Sequence, residues 1–443
     1  MLPTLLLALA PTTFPAPSTS SVTPTSARED QDQHVIRLDE LQTTSLGGQF
    51  QRAPHWSMAS LVLLSLGPDW HPSGSPFVLE ALESPDARVR AYALEALLRT
   101  DPKALRAAAS TGVVENLVAA QLVVEDELWQ AKTMQILSGL FPKSKANDTA
   151  GWTQHWEELQ RTFTPEEWEE PTGKDRARSS SQSVAQRAMD LYTSGLEVAI
   201  CIDTTSSMQA MIDTCAIAFD DVVYLLSAVA PDFKIGLVHY KDEGSNPKGG
   251  AILNKLSDKT GSVRRKLSSL KVKGGGDIPE AVVDGLEKAL SKRMGWSESA
   301  CKLVLLVGDA PPHKEDRQRG IDLAKAAHEE PFGKKPGEDL GSRGKVRPFV
   351  VAGIGVGSIL VSQDTRVAFH QMADVAGGSY IDFVTTRREK DPKVAARQLR
   401  AELTSGILEL VFGSRFREEL TVFVNVYFTW TERGLFVAPE EED

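Results

Sequence analysis

The sequence predicts an α/β fold, a doubly wound and mostly parallel sheet with helices on both faces, preceded by an all-α repeat domain. Three observations carry this expectation. Between residues 187 and 386, short runs of Val, Ile and Leu alternate with helix-length segments, the pattern of a parallel sheet covered on both faces. Residues 54–142 lack β-type alternation and place Leu, Ala and Val at helical spacing. At three points of the α/β part an acid stands where a strand ends or a helix begins, the place where ligands gather in such sheets.

The elements follow in chain order. Residues 1–30 open with the apolar run Met1 to Ala10 and continue as a Pro/Ser/Thr-rich stretch to Ser26. This reads as a short signal peptide with a disordered sequel, although no Lys or Arg precedes the apolar part and Pro11 follows Ala10 directly. The expected location is secreted or periplasmic, with cytoplasmic as the alternative. In residues 31–145, the segments Met58–Leu66, Arg90–Leu98 and Thr133–Leu140 recur at roughly the period of paired-helix repeats. The unit Leu82–Leu94 resembles a HEAT repeat: Pro85-Asp86 ends one helix, and Val89-Arg90 with small apolar residues starts the next. An irregular helical bundle is the plain alternative. Such a stack holds no chemistry, so it would act as a spacer or docking surface. Residues 146–186 read as a linker, with Trp152, Trp156 and Trp168 among glutamates and a charged, Ser-rich end.

The α/β part, residues 187–386, begins with strand Leu196–Ile202, then Asp203-Thr204-Thr205-Ser206-Ser207 and a helix from Met208 to Ala230. Strand Phe233–Val238 follows, then the turn Gly274-Gly275-Gly276-Asp277-Ile278-Pro279-Glu280 and a helix through Leu290. Strand Leu303–Val307 ends at Gly308-Asp309-Ala310-Pro311-Pro312-His313. After a Gly/Lys/Pro-rich insert, Glu329 to Val346, come strand Phe349–Ile354, helix Arg366–Val375 and Gly377–Ile381. Residues 387–443 predict a helix from Pro392 to Glu409, a strand over Leu420–Phe428 from its partial alternation, and an acidic tail.

A strand ending in one carboxylate and two hydroxyls at every second position, Asp203, Thr205 and Ser207, makes a pocket of hard oxygens that suits Mg²⁺ or Ca²⁺ and not zinc or copper. The pattern Asp-x-Thr-x-Ser resembles the metal-ion-dependent adhesion site (MIDAS) of von Willebrand factor A (VWA) domains, usually Asp-x-Ser-x-Ser; Thr205 keeps the hydroxyl. Taken with the other two loops, the resemblance spans residues 187–386. It implies a Rossmann-like sheet and a non-enzymatic protein that captures a protein partner through a cation, Mg²⁺ with Ca²⁺ or Mn²⁺ as alternatives. By that resemblance Thr205 and Ser207 would be direct ligands, Asp203 and Asp309 would act through water or tune the hydroxyls, and a partner's carboxylate would fill the open position. The second loop departs from the scheme: it has no Thr at the matching place and offers Asp277 or Glu280. Asp277-Ile278-Pro279-Glu280 is similar to a stretch of the VWA-like domains of integrin β-subunits, in which the Glu reaches the central metal and the Asp helps hold a second. A second divalent cation near Asp277 is therefore an expectation, while Gln209-Ala210-Met211 stands where a third site would need acids. Local readings compete at each position: Asp277 as a helix N-cap, Asp309 and His313 as turn residues, and His239 to Asp242 as a pocket rim.

Composition narrows the rest. A chain of 443 residues implies two or three domains, and 49 basic against 60 acidic residues give a net charge of −11, which disfavours nucleic acid. No apolar run approaches the ~20 residues of a membrane span. Three cysteines make no disulfide framework; Cys201 and Cys301 stand at opposite ends of their strands and Cys215 on the next helix. No Walker A loop, His-Glu-x-x-His or Gly-x-Ser-x-Gly occurs, since Gly344-Lys345 runs into Val346. The chain is accordingly expected not to be an enzyme. Two other readings stay open: a Mg²⁺-dependent phosphatase-like hydrolase using Asp203, which would want an acid where Thr205 stands, and a repeat scaffold whose metal site is incidental. The oligomeric state is not legible.

Overall fold

The computed structural model describes residues 37–109, 117, 121–146, 148–154, 156, 158, 161, 163, 183–242, 251–272, 279–329, 347–385 and 391–436. The leader-like segment, Trp168 and most of the linker, Asp277, the insert over 330–346 and the acidic tail lie outside them.

The chain enters through β1 (Arg37–Leu38), which pairs in parallel with β2 (Asp69–Trp70). Around them lie α1 (Glu40–Gln51), α2 (Trp56–Leu64), α3 (Ser75–Glu83), α4 (Ala87–Arg99), α5 (Pro102–Ala109), α6 (Glu127–Leu140) and α7 (Thr149–Gln154). Their starts are written locally. Asp39 forms a capping box with Gln42. Asp86 accepts from the Arg88 N–H at 2.9 Å, and Asp126 from the Trp129 N–H at 2.9 Å. All nine residues of α2 are buried, so this helix is a core element packed on every side.

From Val184 the α/β part unfolds in order: α8 (Val184–Ser194), β3 (Leu196–Asp203), α9 (Gln209–Val229), β4 (Phe233–Tyr240), β5 (Ala251–Ser257), α10 (Thr260–Ser268), α11 (Val282–Leu290), β6 (Cys301–Gly308), α12 (Arg317–Glu329), β7 (Phe349–Gly357), α13 (Gln363–Val375) and β8 (Tyr380–Val384). Among the described residues the sheet has six strands in the order β5-β4-β3-β6-β7-β8, parallel throughout except for the antiparallel edge strand β5. Successive side chains point to opposite faces. Leu196, Val198 and Ile202 of β3 therefore join a core with α8, α9 and α10, while Ala199 and Cys201 join a second core with α11, α12 and α13. All three cysteines are free. The strand order reverses at β3, because the chain first moves to β4 and later returns to lay β6 on the other side. That reversal puts the carboxyl ends of β3 and β6 side by side, the crevice such sheets use for ligands.

The strand expected over Leu420–Phe428 is a helix. After α14 (Pro392–Phe412), α15 runs from Arg417 to Glu432. Leu420, Phe423, Val424, Tyr427 and Trp430 keep helical spacing, but Val426 and Phe428 are buried too. Burial on nearly all sides of the helix produced the run of apolar residues that resembled strand alternation. This helix packs on α2 and α4, and it ties the two halves of the chain together. The Tyr92 hydroxyl donates to the Phe423 carbonyl at 2.7 Å, and their rings stack at 5.2 Å. Trp56 stacks on Tyr92, Tyr224 and Phe423, so residues from α2, α4, α9 and α15 share one aromatic cluster. Asp221 of α9 holds Arg400 of α14 at 2.6 Å and accepts from the Tyr427 hydroxyl at 3.1 Å. The helical region and one face of the sheet therefore share a continuous hydrophobic core.

Candidate functional site

Asp203 is the last residue of the central strand β3 and is fully buried. One carboxylate oxygen, Oδ1, accepts the Thr205 N–H at 2.8 Å, and this bond turns the chain out of the sheet. Thr204 turns away, its N–H and its hydroxyl both donating to the Tyr240 carbonyl at 3.0 Å. Thr205 and Ser207 consequently face the same side, with their hydroxyl oxygens 3.2 Å apart; Thr205 is buried and Ser207 exposed. The other oxygen of Asp203, Oδ2, is buried without a hydrogen-bond partner. A buried carboxylate oxygen left in that condition costs free energy unless something electropositive faces it.

Two further loops close on this point. Asp309 follows β6 directly and is half-buried; its carbonyl accepts from the Thr365 hydroxyl at 2.9 Å, which fastens the loop to the start of α13. Glu280 is buried. Its N–H donates to the Pro311 carbonyl at 3.0 Å, and its Oε2 accepts the Asp242 N–H at 3.2 Å. The second and third loops are thus pinned to each other and to the end of β4. At the rim His313 Nε2 lies 3.0 Å from an Asp242 carboxylate oxygen, a hydrogen bond that raises the imidazole pKa above its ordinary value. Asp242 and His313, read from sequence as rim and turn residues, are paired across 71 positions, a link that no local pattern encodes.

The electrostatics describe a crowded set of acids. Burial, then the neighbouring charge of Asp309, pushes the Asp203 carboxyl up to about 7. Glu280 is likewise pushed up to about 7, by burial first and then by Asp203. Tyr240, fully buried beneath them, has its phenol raised by burial and by the charge of Asp203. Among the described residues no three His, Cys, Asp or Glu side chains stand close enough to hold an ion by themselves. An ion seated here would need further oxygens, and the Thr205 and Ser207 hydroxyls are the ones at hand. A donor set of hydroxyls and carboxylates fits a hard divalent cation, and the unpartnered Asp203 Oδ2 is the feature such a charge would compensate. Of the six residues expected from sequence, Asp203, Thr205, Ser207, Glu280 and Asp309 stand around this end of the sheet, and Asp277 lies outside the described residues.

Residues 197–328, from β3 to the end of α12, match the sequence family described as von Willebrand factor A domain. That stretch carries the sequence signature of a VWA domain. Among solved structures, the chain is similar to the conserved hypothetical protein BatB from Bacteroides thetaiotaomicron, at 15% identity over 49% of this chain and 98% of that one, with a TM-score of 0.33. It is similar also to the SpRpn10 VWA domain, at 16% identity over 47% and 94%, with a TM-score of 0.32. A third is the open form of the pilus adhesin SpaC from Lactobacillus rhamnosus GG, at 12% identity over 48% and 30%, with a TM-score of 0.33. No curated protein sequence matches the chain. Among the described residues no helix is long and apolar enough to cross a membrane.

One glycine sets the floor of the VWA crevice. A Cβ added to Gly308 would stand 2.9 Å from the Tyr240 hydroxyl oxygen, 3.3 Å from Phe369 and 3.6 Å from the Asp203 Cβ. Gly308→Ala is expected to cost about 1–3 kcal/mol of stability, because buried rings must shift to admit one methyl. Thermal unfolding measures it, and an unchanged midpoint would show that the floor is looser than the distances imply.

Proposed function

We propose that the chain is a binding protein, not an enzyme, which captures a protein partner through a divalent cation held at the carboxyl ends of β3 and β6. VWA domains serve as protein-interaction modules, and that coarse role is the starting point. The single observation that carries the finer reading is the buried Asp203 Oδ2, unpartnered beside two hydroxyls 3.2 Å apart and two carboxyls pushed up to about 7. Thr205 and Ser207 would hold Mg²⁺, Ca²⁺ or Mn²⁺ directly. Asp203, Glu280 and Asp309 would complete and orient the shell, with a second cation near Asp277 as an extension of the same reading. The bound ion would supply a positive centre at which an acidic side chain of the partner docks. Charge supports a cation: three carboxylates in one crevice repel an acidic partner until a divalent ion offsets them. In this reading α3 and α4, separated by Pro85-Asp86, form a HEAT-like pair, and the helical region acts as a docking surface.

Ser207→Ala tests the site with little risk to the fold, since Ser207 is exposed. Calorimetry with Mg²⁺ or Mn²⁺ alone is expected to show affinity falling at least ~10–100-fold, the usual effect of losing a group that holds or orients an ion. Uptake that survives the substitution unchanged would remove the metal reading. Saturation with Ca²⁺ at one ion per chain would remove the second cation alone.

A further inference from the structure

At the opposite end of the sheet lies a cavity of about 680 Å³, walled by α8, the starts of β3, β6 and β7, the turn Gly377–Ser379 and the end of α14. Its volume falls in the range of sites for small organic ligands. The charged lining is one-sided: Arg187, Lys302, Arg347 and Arg415 against the single carboxylate of Asp190. The Lys302 ammonium is spent, for it donates to the carbonyls of Glu298, Ala300 and Arg347 at 2.8–3.2 Å. It therefore contributes field and not contacts. Arg347 grips Asp190 with both terminal nitrogens, at 3.1 and 3.3 Å, and turns one of them to the Cys301 sulfur at 3.2 Å. Arg187 reaches the same sulfur at 3.9 Å, faces Asp190 at 3.5 Å and donates to the Val411 carbonyl at 3.0 Å. Arg347 also donates to the Ser194 hydroxyl at 2.6 Å, so both guanidinium groups are positioned by neutral acceptors while sharing one carboxylate, and the lining keeps a surplus of positive over negative charge. Arg415 is exposed at the mouth, stacked over Phe416 at 4.6 Å, with no ion pair among the described residues. Between these cations the wall is apolar, with Leu303, Val350, Val411 and Phe412.

We propose that this cavity is a second ligand site, one that binds a small phosphate monoester with an apolar body. Four cations against one carboxylate favour a dianionic head over a monoanion. Guanidinium forks suit tetrahedral and planar oxyanions alike, so charge is what separates phosphate from carboxylate here. The aliphatic and aromatic wall receives the ester's organic part. The site is independent of the metal crevice, which opens at the other end of the strands.

Titration calorimetry on the full chain, with phenyl phosphate as the probe and benzoate as the comparison, tests it. EDTA is present throughout, and Ser207→Ala is run in parallel, so that a phosphate held by an ion in the crevice is not counted. Phenyl phosphate is expected to bind at one per chain and at least roughly tenfold tighter than benzoate. Arg415→Glu is expected to weaken it at least roughly tenfold, about the effect of one lost charged contact. Arg415 is exposed and makes no ion pair among the described residues, so this variant is expected to keep its fold, and Arg187→Gln, expected to weaken binding too, gives a second reading from inside the wall. No uptake at millimolar phenyl phosphate, equal uptake of benzoate, or affinity indifferent to Arg415→Glu would each overturn the proposal.

Discussion

Asp203→Asn will make the ion-free protein more stable and, at the same step, much weaker in its uptake of a divalent cation. The sign follows from the raised pKa. A carboxyl pushed up to about 7 in the fold, from an ordinary value near 3.8, is tolerated when protonated and costly when ionised. Its favourable contribution is fully present below the unfolded pKa and is lost as pH rises through about 7. At pH 8 the wild-type carboxylate is therefore a burden on the ion-free fold, with Oδ2 buried and unpartnered. An amide keeps the acceptor for the Thr205 N–H and sheds the charge beside Asp309 and Glu280. The expected gain is about 2 kcal/mol in denaturant unfolding at pH 8 with EDTA, shrinking toward zero near pH 4. Calorimetry with Mg²⁺ should read a loss of at least ~100-fold in affinity. If the variant is less stable than wild type at pH 8, the buried charge is compensated by something other than an ion. Stability lost for the sake of a site is the mark of a functional position, and this substitution reads both sides of it.

Phe423→Ala will destabilise the whole described chain in one step, by about 3–5 kcal/mol. Phe423 is 1% exposed, and its ring stacks on Tyr92 and Trp56 while its carbonyl takes the Tyr92 hydroxyl proton. The cluster draws on the helical region, on α9 of the VWA domain and on the C-terminal helix α15. A cavity there weakens all three at once. Urea unfolding followed by tryptophan fluorescence and by far-ultraviolet circular dichroism should give one coincident transition, displaced in the variant. Two separated transitions, with only one displaced, would mean that the halves unfold independently. The ion pairs across the same seam, Arg99–Glu418 at 2.8 Å and Arg433–Asp126 at 2.7 Å, are partly solvated and should matter far less.

The contrast between Asp203 and Phe423 shows where sequence reasoning reaches and where it stops. Asp203, Thr205 and Ser207 were legible because the information is local: a buried strand, a turn that its own carboxylate directs, and hydroxyls two residues apart. Asp309 was legible for the same reason at the end of β6. Phe423 reads as a strand residue in the sequence because the apolar pattern of α15 mixes two interfaces, one against α14 and one against α2 and α4. The antiparallel edge strand β5 and helix α10 were not anticipated, their sequence being partly polar and their position at the border of the sheet. The Asp242–His313 pair and the contact of Glu280 with the Pro311 carbonyl join loops that only the crossovers of the sheet bring together. Likewise the basic cavity gathers Arg187, Lys302, Arg347 and Arg415, four positions with no shared motif.

By itself the sequence determined the α/β character, the order of most elements and the loop that starts the candidate metal site, since each depends on periodicity or on contacts within a few residues. Only the tertiary structure decided that the C-terminal helix seals the helical region onto the VWA domain, which acids confront one another, and where surplus positive charge collects. Those outcomes arise from packing between segments up to 331 residues apart, whose spacing along the chain carries no record of their spacing in the fold.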